Sequence, residues 1–375
     1  MMEIHPDRVY LYRAQIEKDE APFAHYRSLA YAALNALELE LPTSGTVLVK
    51  PNATVLFPPE KRVITHPGFV GGILDALGDK GVGRQRLLVA EGQSGEQPQH
   101  GHTWEVSGYQ EMLARRQVPL RVLNGVETQP VQVPGGVVYD AYPIAREVVE
   151  CAFFLNAPLA KCHNLGCTTL SIKNLMGILT SPVRHLCNIQ EVDQPFAEGI
   201  WRLNPSGLSL FEDRFCHKLC DLVAALRSIG MPRLCVVDGL VGRDGTAFNE
   251  GRNYPLGWAV LGQNEVHVDA VVTFLMGLDP EATPYLKFAA ERGLGANRVD
   301  RIEVVDLIEG QTLDPGALRQ RRSPSVLMPV ARCERGYYRR FRADGSAVPW
   351  RVDDVNKQLQ AEGREPLPVE LAGEQ

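Results

Sequence analysis

The most chemically loaded stretch of the chain spans residues 161–185, where Lys161, His163, Asn164, Thr168, Thr169, Lys173 and Asn174 crowd together between apolar residues. Positive charge and hydrogen-bond donors dominate it. Such a mixture suits a carboxylate or phosphate, because lysines supply point charge while backbone amides at a Gly-rich turn or helix start add directed hydrogen bonds. His163 reads as a general acid or base working near neutral pH, or as a metal ligand. A lone histidine is more often satisfied by a backbone carbonyl, but the flanking Lys161 and Lys173 tip the reading towards chemistry. Arg184 and His185 extend the cluster, with capping of a helix end as their alternative role.

Ligands of open parallel sheets bind outside the carboxyl ends of the strands, so polar residues just after a strand come next. Lys50 and Asn52 follow the apolar run 46–50, Glu91 with Gly92 and Gly95 follows 86–90, residues 156–163 follow 150–155, and Asp238-Gly239 ends 233–238. Strand ends are always polar; four such ends together predict one shared crevice. The expected catalytic set is His163, Lys173, Glu91 and Asp238. The expected substrate-binding set is Lys50, Asn52, Lys161, Thr169, Asn174, Arg184 and His185. A desolvated Lys173 would instead be a nucleophile able to form a Schiff base.

Cys162, His163, Cys167 and Cys187 offer a weak metal-ligand set, since their spacing fits none of the strong zinc or ferredoxin patterns. The eight cysteines are scattered through a large chain, which argues for reduced thiols and against a disulfide framework. Cys216 and Cys220 share one helix face and read as core. The glycine-rich run 238–245 reads as a loop, and it matches neither the phosphate-binding loop nor the dinucleotide fingerprint.

Positioning these residues falls to alternating elements. Helical spacing predicts helices over 21–40, 69–77, 105–116, 211–228, 267–276 and 285–292; apolar runs predict strands over 46–50, 86–90, 120–123, 150–155, 233–238 and 301–307. A β-rich excursion covers 131–142, and 156–161 reads as a loop. The alternation predicts an α/β fold, a mostly parallel sheet with helices on both faces. Three regions follow: a helical segment 1–45, an α/β core 46–310, and a peripheral C-terminal extension 311–375. The Arg-rich runs of that extension read as a solvated face, with a homo-oligomer interface as the alternative.

Composition sets outer limits. The 375 residues are 45% hydrophobic and 22% charged, with a net charge of −6, so the basic excess that nucleic-acid binding needs is lacking. Residues 1–20 are too charged for a usual signal peptide, and no apolar run is long enough to span a bilayer. The expectation is a cytoplasmic protein whose partner is a small anionic ligand, not nucleic acid or membrane.

Lys50-Pro51-Asn52, Thr65-His66-Pro67, Gly108-Tyr109, Lys161-x-His163, residues 169–177 centred on Lys173-Asn174-Leu175-Met176-Gly177, Asp238-Gly239 and Asp269 occur in an order that resembles the family called domain of unknown function 362. Some of its members carry an appended iron–sulfur module; no four-cysteine ferredoxin run occurs here, so no such cluster is implied. A more distant resemblance is to the nickel-dependent lactate racemases, which also place a histidine ten positions before a lysine. By that resemblance Lys173 corresponds to the attachment point of a covalent nickel cofactor and His163 to a proton-transfer residue. Lys50-Pro51-Asn52 and Glu91-Gly92-Gln93-Ser94 depart from the racemase pattern, so what carries over is the architecture and the place of the site, not the nickel chemistry.

Overall fold

The computed structural model describes residues 2–14, 22–93, 103–180, 185–200, 208–245, 251–333, 336–339 and 360, giving only the backbone for 330–333 and 336–339. Within these residues one large sheet of 11 strands forms the centre. Its strands are β1 Val9–Arg13, β2 Val47–Pro51, β3 Leu87–Glu91, β4 Leu120–Val122, β5 Phe153–Ala157, β6 Leu159–His163, β7 Cys167–Thr169, β8 Arg233–Arg243, β9 Asn253–Gly262, β10 Val304–Asp306 and β11 Gln311–Leu313. The spatial order is β11-β10-β1-β9-β8-β5-β2-β3-β4, with β6 beside β8 and β7 paired to β6. Pairing from β8 through β5, β2, β3 and β4 is parallel, as are β10 with β1 and β6 with β8; β9 runs antiparallel to both its neighbours.

Successive side chains of a strand point to opposite faces, and here both faces are apolar. Leu48, Phe154, Cys235 and Val237 enter one core, whereas Val47, Val49, Phe153, Leu155, Leu234 and Val236 enter the other. The second core is closed by α1 Phe23–Asn35, α2 Pro67–Asp79 and α3 Tyr109–Arg116. The first is closed by α4 Ser171–Asn174, α5 Leu210–Ser228, α6 Glu265–Leu275 and α7 Pro284–Glu291. Each large apolar side chain so buried contributes about 1.5–3 kcal/mol, which is why continuous apolar runs make the central strands. The helix starts are chemically marked. Ser209 and Glu212 form a capping box on α5, and Asn264 accepts the amides of Val266 and His267 at the start of α6.

Helices on both faces of a mostly parallel sheet are what the alternation predicts. Three local expectations change. Residues 156–161, read as a loop, belong largely to β5 and β6. The glycine-rich run 238–245, also read as a loop, is mostly strand: β8 continues to Arg243 because the Trp258 ring of β9 lies across Gly239, where a Cβ would come within 1.9 Å of ring carbons. The expected helical segment 1–45 holds α1 but is not helical throughout: it also supplies the interior strand β1.

The β-rich excursion is a hairpin, Thr128–Gln132 with Ala141–Ala145, tied to α5 by the Asp221 carboxylate, which accepts the amides of Val137, Val138 and Tyr139. Part of the arginine-rich run folds back onto the core instead of facing solvent. Arg321 pairs with buried Asp306, and Arg322 donates to the Phe274 carbonyl. Among the described residues no helix is long and apolar enough to cross a membrane.

Candidate active site

Lys50 and Asn156 are direct partners on the adjacent parallel strands β2 and β5. On these strands they share parity with Leu48 and Phe154, which places both on the face covered by α4. There Asn174 joins them: its Nδ2 donates to Asn156 Oδ1 at 2.7 Å, and its Oδ1 accepts from Lys50 Nζ at 3.2 Å and Asn52 Nδ2 at 3.2 Å. Asn156 Nδ2 donates in turn to the Ser171 carbonyl at 2.8 Å. The loop that carries Asn52 is pinned by Thr65, whose hydroxyl accepts the Asn52 amide and donates to the Ala157 carbonyl.

Glu91, at the end of β3, meets Lys50 with Oε1 2.7 Å from Nζ. The amides of Ala53 and Gly92 complete its acceptor set, at 2.8 and 2.9 Å. Burial pushes the Lys50 amine down and the Glu91 carboxyl up, and their mutual contact opposes both shifts. The 175–178 turn passes directly over this pair at Gly177, where a Cβ would stand 2.0 Å from Glu91 Oε1 and 2.6 Å from Lys50 Nζ. Only glycine fits.

Beside this pair lie Lys161, His163 and Lys173. Lys161 donates to the Val63 carbonyl at 2.7 Å, and burial, reinforced by Lys173 and Arg243, lowers its pKa to about 7. His163 is held well below its ordinary pKa by burial and by Lys173 and Lys161. Its Nδ1 accepts the amides of Leu165 and Gly166, at 3.0 and 3.3 Å, so Nδ1 is unprotonated and the neutral ring carries its proton on Nε2. Lys173, partly exposed on α4, is lowered chiefly by burial; Cys187 and Glu91 act in the opposite sense.

The short α4 owes its placement to Asp269 of α6, whose two carboxylate oxygens accept the amides of Ser171 at 2.7 Å and Ile172 at 2.9 Å. Burial raises the Asp269 pKa to about 7. The Tyr285 hydroxyl bridges Asp269 and Thr168, linking α6 and α7 to β7. Thr169 pairs with Lys161 in the β6–β7 ladder and keeps a buried hydroxyl with no hydrogen-bond partner among the described residues.

The expected residues therefore separate into groups. Lys50, Asn52, Glu91, Lys161, His163, Thr169, Lys173 and Asn174 gather as one site. Asp238 does not lie at a strand end, because β8 runs on past it. Its carboxylate accepts the His66 amide at 3.0 Å, and burial raises its pKa to about 7. It sits behind His66, which stacks on Tyr26 at 3.8 Å beside Arg62. His66 lines a cavity of about 1080 Å³ with Phe23, Arg62 and Met112, and none of Lys161, His163 and Lys173 lines it. Arg184 lies outside the described residues. His185 sits in a turn in which its carbonyl accepts from Asn188 and Gln190.

Among the described residues no three His, Cys, Asp or Glu side chains gather to hold a metal. Cys162 points its thiol to the Leu327 carbonyl, and His163 spends Nδ1 on backbone amides. Cys162, His163, Cys167 and Cys187 accordingly do not assemble as a metal-ligand set among the described residues. Three roles in the site were not assigned from sequence: Asn156 as the partner of Asn174, Asp269 as the anchor of α4, and Gly177 as the cover of the Lys50–Glu91 pair.

An open, mostly parallel α/β sheet with a lysine-rich site at the ends of β2, β3 and β5 defines the class of this protein. The chain belongs to the family described as Domain of unknown function (DUF362), whose model matches residues 47–274. It is also similar to a thylakoid-associated protein of Synechocystis sp., at 22% identity over 287 residues, which cover 76% of this chain and 78% of the relative.

Proposed function

We propose that the protein is an enzyme that binds a small anionic substrate, a carboxylate or a phosphate, between Lys161 and Lys173 and exchanges protons with it there. The observation that carries this reading is a charge imbalance. Three lysines and a histidine share the site with two carboxylates, and both are already engaged: Glu91 by Lys50 and two backbone amides, and Asp269 by the amides of Ser171 and Ile172. Burial is the main cause of the lowered Lys161 pKa, and an anion placed against Lys161 and Lys173 relieves the repulsion from Lys173 that adds to it.

The residues then divide the work. Lys173 supplies charge to an anionic oxygen. Lys161, with a pKa of about 7, is matched to giving and taking a proton near neutrality. The neutral His163 presents Nε2–H, so it acts as a donor to a carbonyl or developing oxyanion, a role open to an imidazole whose pKa is too low for it to charge. Glu91 keeps Lys50 in place and takes no proton from substrate. This proposal leaves Glu91 and Asp238 out of the expected catalytic set. The racemase resemblance is consistent with proton exchange at this position, and a cytoplasmic setting remains part of the proposal, alongside the relative's association with thylakoids.

Isothermal titration with inorganic phosphate, acetate and pyruvate tests the reading. Wild-type protein is expected to bind at least one of them, and Lys173→Gln is expected to weaken that binding roughly ten- to a hundredfold, the worth of one charge-assisted hydrogen bond. Equal affinity in the two proteins overturns it.

A further inference from the structure

The asparagines of the site form a chain with a fixed direction. At one end the Ser171 carbonyl, which can only accept, takes the Asn156 Nδ2 proton at 2.8 Å. That leaves Asn156 Oδ1 to accept from Asn174 Nδ2 at 2.7 Å. Asn174 Oδ1 then faces Lys50 Nζ, which can only donate, and Asn52 Nδ2, each at 3.2 Å. Two anchors of known polarity, a carbonyl and an ammonium, thus settle the orientation of all three amides. Reversing Asn52 would set two carbonyl oxygens against each other.

The chain ends on an unused acceptor. Asn52 is only 6% exposed, and its Oδ1 is buried with no hydrogen-bond partner among the described residues. The Asn52 backbone is held at both sides, by the Thr65 hydroxyl at its amide and by the Thr65 amide at its carbonyl, and turning its side chain would break the bond from Nδ2 to Asn174. A buried acceptor held in place by three other groups, at the edge of a site rich in positive donors, is an arrangement that a ligand completes.

We propose that the substrate carries a hydrogen-bond donor, a hydroxyl or an amine, in addition to its anionic group, and that Asn52 Oδ1 is the residue atom that selects for it. The inference rests on the anion-binding reading above and narrows it. Lys161 and Lys173 take the anionic end; Asn52 reads the donor end. An analogue lacking the donor leaves the Asn52 oxygen unpaired, and sites built this way discriminate strongly against such analogues.

The test compares matched pairs by isothermal titration: 3-hydroxypropionate against propionate, and 2-hydroxyethyl phosphate against ethyl phosphate. The pairs separate a carboxylate from a phosphate as the anionic end. In wild-type protein the hydroxylated member of at least one pair is expected to bind about tenfold more tightly or better. In Asn52→Ala that ratio is expected to fall towards one. Equal binding within both pairs by wild-type protein overturns the role of Asn52 while leaving the anion site intact. Failure of all four probes to bind overturns both. The wild-type comparison requires no variant to fold.

Discussion

Lys50 Nζ lies 2.7 Å from Glu91 Oε1, and neither side chain reaches solvent. Removing one partner from such a pair leaves an uncompensated buried charge, which costs about 3–5 kcal/mol, whereas replacing both with apolar groups is often neutral. Glu91→Gln is therefore expected to lower stability by about that amount in urea denaturation. The double variant Lys50→Met/Glu91→Leu is expected to recover most of it. A double variant no more stable than Glu91→Gln would show that the pair itself, and not the lone charge, decides stability.

Gly177 tests the same pair from above. Its missing Cβ is what lets the 175–178 turn rest on Lys50 and Glu91. Gly177→Ala is expected to destabilise the fold by about 1–3 kcal/mol, the usual range for overpacking a filled interior. The same change at exposed Gly293, where φ is +69° and nothing lies within 4 Å, isolates backbone strain from steric conflict. A Gly177→Ala melting temperature equal to that of wild type would refute the close approach.

Lys161 gives a pH dependence of definite sign. In the folded protein its proton leaves at about 7, while the unfolded chain keeps it up to the ordinary value near 10.5. Between these values the folded state binds fewer protons, so wild-type stability gains up to about 1.4 kcal/mol per pH unit from this group as pH rises. The penalty is complete at pH 7 and below, and gone above 10.5. Lys161→Met is expected to melt higher than wild type at pH 7, by a margin that narrows at pH 9.5. A margin that does not change with pH would mean that Lys161 keeps an ordinary pKa.

The His163 ring offers a spectroscopic check. Nitrogen-15 NMR of the imidazole is expected to show an unprotonated Nδ1 and a protonated Nε2 from pH 5 to 8, with no titration in that interval. Titration near the ordinary histidine value would remove the donor role and restore His163 as a conventional base.

Much of this architecture is legible from residue order. Strands such as β2 and β5 are apolar on both faces because helices cover both, and that pattern survives in one dimension. Lys50, Glu91, Lys161 and Lys173 were found because charges that close an apolar run stand out. Asn156 stood at one of the four strand ends singled out, but its role did not show: an amide after Leu155 looks like any strand end until register sets it opposite Lys50. Asp269 is hidden for a similar reason, since nothing local shows that a carboxylate on α6 caps a helix almost a hundred residues earlier. Gly239 misled in the other direction, because glycine signals a turn unless a ring such as Trp258 needs the room.

The place of β1 has a consequence for how the chain assembles. Val9–Arg13 lies between β9 and β10, pairing Arg13 with Trp258 and Val9 with Val304. A ribosome delivers this strand some 250 and 300 residues before its two neighbours. Until then an apolar strand with two open edges must be kept from other partners, and long-range pairings of this kind are slow to form. Biogenesis of this sheet is thus bounded by its last strands, and a nascent chain halted before β9 has no native place for its first.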